Sequence, residues 1–144
     1  MNTELESDYW EKRKNSIYLY VVRQICRKYA GNAKSVLDVG SNATPTLEWH
    51  RDNASRLVSV DIVMPYEAEG IESHTRDFLD YHPAQNFDLV TCLQVLEHVP
   101  NPKDFSRHLL KCGKTIVVSV PYKWSVDTCD EHLHDPVDEY KLLD

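Results

Sequence analysis

The sequence lacks the segments that would place a chain in or across a membrane. No run of about 18 apolar residues occurs in it, which argues against a membrane-spanning helix. Residues 1–11 are polar and acidic, whereas a secretory leader starts with basic residues followed by an apolar stretch. We therefore expect a single domain over residues 1–144, located in the cytoplasm and without a membrane partner.

Closely spaced cysteines and an excess of positive charge are also absent. The four cysteines are far apart and form no Cys-x-x-Cys pair, which argues against a zinc site built from cysteines. The net charge of -7 opposes binding to phosphate backbones, so nucleic acid is not an expected partner.

Glycine is scarce, with four residues in the whole chain. Proteins that bind dinucleotides place the pyrophosphate against backbone N–H groups of a Gly-x-Gly-x-x-Gly turn. Here the turn after the first apolar run contains only Gly40, and Asn42 and Pro45 stand where glycine or a free N–H is needed. The composition therefore disfavours a dinucleotide oxidoreductase.

What the sequence does contain is a series of short apolar runs that alternate with helical patterns. The runs predict strands at residues 34–39, 56–63, 71–75, 87–93 and 114–120, and the helical patterns predict helices at 5–30, 45–53, 102–112 and 136–143, with a helical turn at 96–99. This alternation is typical of an α/β fold with a parallel sheet and helices on both faces. We divide the domain into an N-terminal helical segment (1–33), a ligand-binding core (34–120) and an acidic tail containing histidines (121–144).

Polar residues follow the predicted strands at the edge where parallel sheets bind ligands. Asp38 and Gly40 end the first strand, Asp61 lies near the end of the second, Asp77 follows the third, and residues 94–98 follow the fourth. Gly40 allows a ligand to approach the backbone closely. A carboxylate such as Asp61 can accept hydrogen bonds from both hydroxyls of a ribose. The pattern indicates an adenosine-containing ligand without a pyrophosphate.

Six segments between residues 36 and 120 form an ordered set of motifs. They are Val36-Leu37-Asp38-Val39-Gly40-Ser41-Asn42, Val58-Ser59-Val60-Asp61-Ile62, Arg76-Asp77-Phe78, Phe87-Asp88-Leu89-Val90-Thr91-Cys92, Leu93-Gln94-Val95-Leu96-Glu97-His98-Val99 and Lys111-Cys112-Gly113-Lys114. Together they resemble the motifs of class I S-adenosylmethionine-dependent methyltransferases. The resemblance implies a Rossmann-like sheet and S-adenosylmethionine as cofactor.

The resemblance also implies roles for individual residues. Asp61 would hold the ribose, Asp77 the adenine amino group, and Phe78 would lie beside the adenine ring. Arg13, which follows Tyr9 and Trp10 in an aromatic-Trp-x-x-Arg segment, would pair with the methionyl carboxylate. The remaining cofactor-binding candidates are Asp38, Gly40, Ser41, Ile62 and Gln94. The carboxylate after the first strand would orient the cofactor's amino group or, alternatively, cap its own turn through backbone N–H groups.

The sequence shows no counterpart of the last two strands in the family's usual seven-stranded sheet. Only 24 residues follow Val120, and none of them has the pattern of a strand pair. The fifth strand would then be an open edge, which native proteins cover. We expect the tail, a second copy of the chain or a partner subunit to cover it.

The segment after the fourth strand bears on the methyl acceptor. It contains neither the Asn/Asp-Pro-Pro-Tyr/Phe motif of enzymes that methylate amino groups of DNA or glutamine, nor the Pro-Cys pair of cytosine C5 enzymes. A hydroxyl acceptor needs a general base or a metal ion to remove its proton. We expect methylation of a hydroxyl of a small molecule or sugar, with His98 as the first candidate for the base, His132 the second and His134 the third.

Glu97 completes the set of catalytic candidates. Gln94, Glu97 and His98 would share one face if their segment were helical. Glu97, His98 and either His132 or His134 also have the donor types of a divalent metal site, although the favoured interpretation has no metal. The main alternative function is a non-catalytic domain that binds S-adenosylmethionine or supports a partner subunit.

Overall fold

The computed structural model describes residues 10–143, and its centre is one parallel β-sheet. Five strands form the sheet: β1 (Ser35–Val39), β2 (Arg56–Asp61), β3 (Ile71–Thr75), β4 (Phe87–Leu93) and β5 (Gly113–Ser119). Their spatial order is β3-β2-β1-β4-β5, and every neighbouring pair is parallel. The predicted α/β fold with a Rossmann-like parallel sheet is confirmed.

Helices pack on both faces of the sheet. The described α-helices are α1 (Ile17–Ala30), α2 (Pro102–Cys112) and the short α3 (Glu139–Leu143), and 3-10 helices cover Thr46–His50 and Phe78–Asp80. Successive side chains of β1 point to opposite faces. Val36 therefore packs in the core that includes α1, and Leu37 packs in the core that includes α2. Among residues 10–143, no helix combines the length and the apolar character needed to span a lipid bilayer.

The predicted helix over residues 5–30 is interrupted. Residues 10–13 are helical, residues 14–15 form a turn, and α1 then begins at Ile17. Ser16 causes the new start because its Oγ accepts a hydrogen bond from Leu19 N at 3.3 Å, as a helix N-cap does. Tyr9 lies outside the described residues.

The apolar residues that indicated α1 mostly face outward. The buried residues of α1 are Leu19, Val22 and Cys26. The apolar residues of α1 that are exposed are Ile17, Tyr20, Val21, Ile25 and Tyr29. The spacing of these residues indicated a helix correctly, but it did not identify the face that packs on the sheet.

Helix α2 matches its predicted bounds. Asn101 caps it, Pro102 occupies the first helical turn, and Phe105 and Leu109 are buried. Leu110, which follows the buried Leu109, is 68% exposed.

Two other predicted helical segments do not form α-helices. The segment expected to be helical over 45–53 is a 3-10 helix over Thr46–His50, and no side-chain hydrogen bond caps its start at Pro45. Residues 96–98 form a turn, and Gln94 before them has a φ of 58°, in the left-handed region. Gln94, Glu97 and His98 therefore do not share a helical face.

Strand β5 is an edge of the described sheet, since it pairs with β4 alone. The described part of the tail does not add a strand to it. The tail instead packs on the loop after β4, where Leu133 N donates to Glu97 O at 2.8 Å and His134 Nε2 donates to Val99 O at 2.7 Å. Covering of this edge by a second copy or a partner subunit stays a prediction, which the oligomeric state in solution tests.

Candidate functional site

The candidate site lies at the carboxyl ends of β1 and β4, where the strand order reverses. The chain runs from β1 outward to β2 and β3, and it returns to the other side of β1 with β4. Loops after such a pair of strands diverge and leave a crevice that binds ligands. Two segments lie at this position: residues 40–44, called the first turn, and residues 94–101, called the β4 loop. We call the region between them the crevice.

Gly40 sets the shape of the first turn. Its φ is 72°, in the region that glycine adopts without strain, and its N–H donates to Val60 O at 2.8 Å. A Cβ at this position would lie 2.3 Å from Cγ2 of Val95. Glycine therefore allows the first turn and the β4 loop to touch, whereas its contact with a cofactor stays a prediction.

Asp61 organises the first turn through its buried carboxylate. Oδ1 accepts hydrogen bonds from Val63 N at 2.8 Å and Met64 N at 2.9 Å, and Oδ2 accepts from Asn42 N at 2.9 Å. The last of these bonds holds Asn42 at a φ of 43°, which a non-glycine residue seldom adopts. The predicted ribose contact of Asp61 has to use its remaining lone pair or displace one of these donors.

Asp38 is buried beneath the first turn and is paired with two threonines. Oδ1 accepts from Thr91 Oγ1 at 2.7 Å, and Oδ2 accepts from Thr46 Oγ1. Burial raises the pKa of Asp38 to about 6, against the lowering effect of these two hydrogen bonds. No described hydrogen bond joins the carboxylate to a backbone N–H, so the alternative that Asp38 caps its own turn is wrong. No sequence pattern indicated either threonine as a partner of Asp38.

Ser41 and Ile62 differ in exposure. Ser41 is buried, with its Oγ 2.9 Å from Ser59 Oγ and accepting from Tyr66 N at 2.9 Å. These bonds tie the first turn to the end of β2. Ile62 is 67% exposed directly after β2, so its side chain is available to a ligand beside Asp61.

The two candidates after β3 have structural partners. Asp77 is exposed, and its Oδ1 caps the following 3-10 helix by accepting from Leu79 N at 2.9 Å. Phe78 is only 4% exposed, and its ring lies 5.0 Å from Phe105 and 4.7 Å from His108 between ring centroids. Phe78 is therefore a core residue, and little of its ring surface is left for the predicted contact with adenine.

Gln94 and Arg13 are the remaining cofactor-binding candidates. Gln94 lies at the crevice, where its N–H donates to Ser119 O at 2.9 Å and its Nε2 donates to Ser119 Oγ at 3.2 Å. Tyr18 OH lies 2.6 Å from the same Oγ and connects α1 to this network. Arg13 is exposed in the segment before α1, and its pairing with a cofactor carboxylate stays a prediction.

The β4 loop and the tail bring Glu97, His98 and His132 together, and we call these residues with Asp135 the Glu97 cluster. A carboxylate oxygen of Glu97 and a ring nitrogen of each histidine all lie within 4.8 Å of one another. His98 Nε2 is 3.9 Å from Glu97 Oε1, and the two imidazole centroids are 4.8 Å apart. The predicted catalytic residues therefore occupy one place at the crevice.

Glu97 is the unusual member of this cluster. It is 1% exposed, and neither of its carboxylate oxygens accepts a hydrogen bond from the described residues. Removal from water raises the pKa of this carboxyl, against the lowering influence of its own backbone N–H and of His98 and His132. A buried carboxylate without a donor is costly unless it binds a proton or a cation.

The two histidines are oriented in the same way. His98 Nδ1 donates to the carbonyl of Glu131 at 3.0 Å, and His132 Nδ1 donates to Asp135 Oδ2 at 2.7 Å. Because carbonyls and carboxylates only accept, Nδ1 carries the proton in both rings and Nε2 keeps a lone pair in the neutral form. The indole of Trp124 stacks on the His132 ring with centroids 5.4 Å apart.

Asp135 is the member of the cluster that the sequence analysis missed. Its side chain is 4% exposed, and it fixes the orientation of His132. The spacing His132-x-x-Asp135 was the available signal, but it has meaning only if the tail folds onto the β4 loop. His134 was an alternative member and lies elsewhere, with its Nε2 bound to the carbonyl of Val99.

The sequence is similar to those of known methyltransferases. Residues 9–140 match the family described as a methyltransferase domain. A ubiquinone biosynthesis O-methyltransferase of Coxiella burnetii is 26% identical over 136 residues, which cover 79% of this chain and 54% of that protein. One from Azoarcus sp. is 31% identical over 87 residues, which cover 49% of this chain and 35% of that protein. The chain spans about half the length of the curated relatives it matches.

Solved structures share the fold at low sequence identity. CalS10, an amino pentose methyltransferase from Micromonospora echinaspora with S-adenosylmethionine bound, has a TM-score of 0.68 at 16% identity, over 88% of this chain and 59% of its own. NodS, an N-methyltransferase from Bradyrhizobium japonicum in complex with S-adenosylhomocysteine, has a TM-score of 0.61 at 20% identity, over 76% of this chain and 64% of its own. The likeness confirms the predicted architecture, and the match over residues 9–140 shows that the chain belongs to the methyltransferase domain family.

Proposed function

We propose that the chain binds S-adenosylmethionine in the crevice between the first turn and the β4 loop and transfers its methyl group to a hydroxyl of a small molecule or sugar. The position of the crevice at the strand-order reversal supports cofactor binding there. Structural neighbours crystallised with S-adenosylmethionine or S-adenosylhomocysteine support the identity of the cofactor.

In this proposal the cofactor contacts residues at the ends of four strands and on the segment before α1. The proposed contacts are Asp38, Gly40 and Ser41 after β1, Asp61 and Ile62 after β2, Asp77 and Phe78 after β3, Gln94 after β4, and Arg13. The exposed Ile62 beside the buried Asp61 fits an adenosine, because one offers apolar surface and the other a carboxylate.

The Glu97 cluster is the observation that supports a hydroxyl as the methyl acceptor. Methyl transfer forms a bond between the acceptor oxygen and the methyl carbon, while the carbon–sulfur bond breaks and its electron pair stays on sulfur. The acceptor must also lose its O–H proton, and a hydroxyl is a poor nucleophile until that proton is removed. A neutral amine, by contrast, attacks through its own lone pair. The cluster of a carboxylate and two imidazoles beside the crevice supplies the group that removes the proton.

Two measurements test the proposal. Calorimetry with S-adenosylmethionine should show binding, and an assay against matched hydroxyl and amine acceptors should show turnover on hydroxyls. Replacing His132 by Ala should lower turnover by roughly 10²–10⁴-fold, the usual contribution of acid–base groups, without weakening cofactor binding. His82→Ala is the control, because His82 is exposed outside the cluster.

Each alternative gives a different result in the same assays. Turnover on amines alone would contradict the hydroxyl acceptor and favour N-methylation. Cofactor binding without turnover on any acceptor would favour the non-catalytic domain instead. Binding of NAD without binding of S-adenosylmethionine would overturn the cofactor assignment.

A further inference from the structure

We propose that Glu97, His98 and His132 bind a divalent metal ion of the Zn²⁺ type, with Asp135 as a positioning residue. The binding step does not depend on methyl transfer. The role of the ion rests on the proposed function, because the ion would act on the acceptor in the same crevice.

The first support is the unpaired carboxylate of Glu97. Both of its oxygens are buried and accept no hydrogen bond from the described residues. Native proteins pair nearly all buried polar atoms, and an ion is one of the few explanations for an exception. The imidazoles of His98 and His132 lie beside this carboxylate, and their free Nε2 atoms are acceptors in the neutral form. An arrangement of acceptors without a donor is stabilised by a cation at its centre.

The second support is the way in which the two histidines are held. Metal-bound histidines almost always donate their other ring N–H to a carboxylate or a backbone carbonyl, which fixes the tautomer and orients the ring. His132 makes the first kind of bond, to Asp135, and His98 makes the second kind, to the carbonyl of Glu131. Both rings are therefore prepared to present Nε2 as a ligand.

The donor set selects the class of ion. Imidazole nitrogen suits Zn²⁺ and related transition metals, whereas Mg²⁺ and Ca²⁺ prefer oxygen ligands. Two histidines with one glutamate form a set found at catalytic zinc sites, which keep a further position open. Zinc bonds of about 2.0–2.2 Å hold tetrahedral ligands roughly 3.4 Å apart. Ligand atoms that lie within 4.8 Å of one another here therefore have to approach by up to about 1.4 Å. His98 has the freedom for this movement, because 36% of its side chain is exposed.

The open position gives the ion a chemical role. An acceptor hydroxyl bound there would have a lowered pKa, as zinc-bound water does. Held by Glu97, His98 and His132, the ion would supply Lewis acidity that helps the acceptor to release its proton to solvent water. The acceptor oxygen would bond to the methyl carbon while the electron pair of the broken carbon–sulfur bond stays on sulfur. In this form the imidazoles serve as ligands, and the ion promotes the deprotonation.

Calorimetry on the whole chain, stripped of metal with a chelator, tests the binding. We expect one equivalent of Zn²⁺ to bind, while Mg²⁺ at the same concentration gives no comparable signal. Glu97→Gln should weaken zinc binding by about 100-fold or more, because it removes a ligand. Asp135→Asn should weaken it by about 10–100-fold, the usual effect of changing a residue that hydrogen-bonds to a metal ligand. The matched control is Glu72→Gln, because Glu72 forms an exposed pair with His74 at 2.6 Å and should leave zinc affinity unchanged.

Co²⁺ used as a spectroscopic probe gives an independent reading. Wild type and Glu72→Gln should show visible absorption bands of tetrahedral cobalt, and Glu97→Gln should lose them. Zinc affinity that is equal in wild type and Glu97→Gln, or no binding at all, overturns the site. Cofactor binding measured in parallel separates this failure from a failure of the proposed function, since S-adenosylmethionine would still bind to a chain without a metal site.

Discussion

The buried carboxylates of Asp38 and Asp61, beside the first turn, and that of Glu97, on the β4 loop, differ in their hydrogen-bond partners. Asp61 accepts three backbone hydrogen bonds, and both oxygens of Asp38 accept threonine hydroxyls. Glu97 is equally buried and accepts none from the described residues. Asp38 and Asp61 therefore have hydrogen-bond partners without a ligand, whereas Glu97 has none among the described residues.

This difference separates structural from reactive acids. The paired carboxylates of Asp38 and Asp61 hold the chain around the first turn, and substituting them removes these hydrogen bonds. An unpaired carboxylate contributes little to the folded state and remains available for a proton or a cation. The comparison predicts that substitutions in the first turn act mainly on stability, whereas substitutions in the cluster act mainly on chemistry.

The largest effect on stability is expected for Gly40→Ala. The new methyl group would collide with Val95, and alanine is strained at a φ of 72°. Together the strain and the overpacking should lower the free energy of unfolding by about 3–4 kcal/mol, measured by urea denaturation.

Gly70→Ala is the matched control for that substitution. Gly70 has nearly the same φ, 75°, but a Cβ there would meet only Nη1 of Arg51 at an ordinary 3.6 Å. Backbone strain alone should cost about 1–2 kcal/mol. Equal losses in the two variants would show that the contact between the first turn and the β4 loop is unimportant.

A smaller loss is expected for Asp61→Asn. The amide keeps one acceptor oxygen, but its NH₂ group would face the N–H of Asn42 or of Val63 and Met64. Leaving a buried donor unpaired should lower the free energy of unfolding by about 2 kcal/mol, again measured in urea. Asp77→Asn should change it by no more than about 0.5 kcal/mol, because asparagine caps helices as well as aspartate does. Similar losses in both variants would contradict the organising role of Asp61.

The smallest effect, with the opposite sign, is expected for Glu97→Gln in chelator-treated protein. The folded chain holds the pKa of Glu97 above its ordinary 4.5, so it binds more protons than the unfolded chain at and above that pH. Wild type should therefore lose stability as the pH rises from about 4.5 towards neutrality, and Glu97→Gln should lose less. At pH 7 the variant should be equally stable or up to about 1 kcal/mol more stable in urea. A clear destabilisation would show that Glu97 is paired, as Asp61 is.

Much of the fold was predictable because short apolar runs bounded by polar residues usually form buried strands. The runs at β3 and β4 matched their predicted bounds, and the acids after the strands fell at the crevice as the parallel topology requires. The turn of the β4 loop was not predictable, since Gln94 adopts a left-handed φ that no sequence pattern indicated. The buried face of α1 was also not predictable. The spacing of apolar residues indicates a helix but does not show which side packs on the sheet.

The sequence by itself determined the alternation of strands and helices, the glycine at the first turn and the acid at the end of β2. These features depend on local chemistry and on the period of apolar residues, which neighbouring positions in the chain display. The tertiary structure decided that Thr46 and Thr91 hold Asp38, that His132 rather than His134 joins Glu97, and that Asp135 completes the cluster. Asp38 meets Thr91 only when β1 pairs with β4. Glu97 meets His132 only after the tail has folded onto the β4 loop.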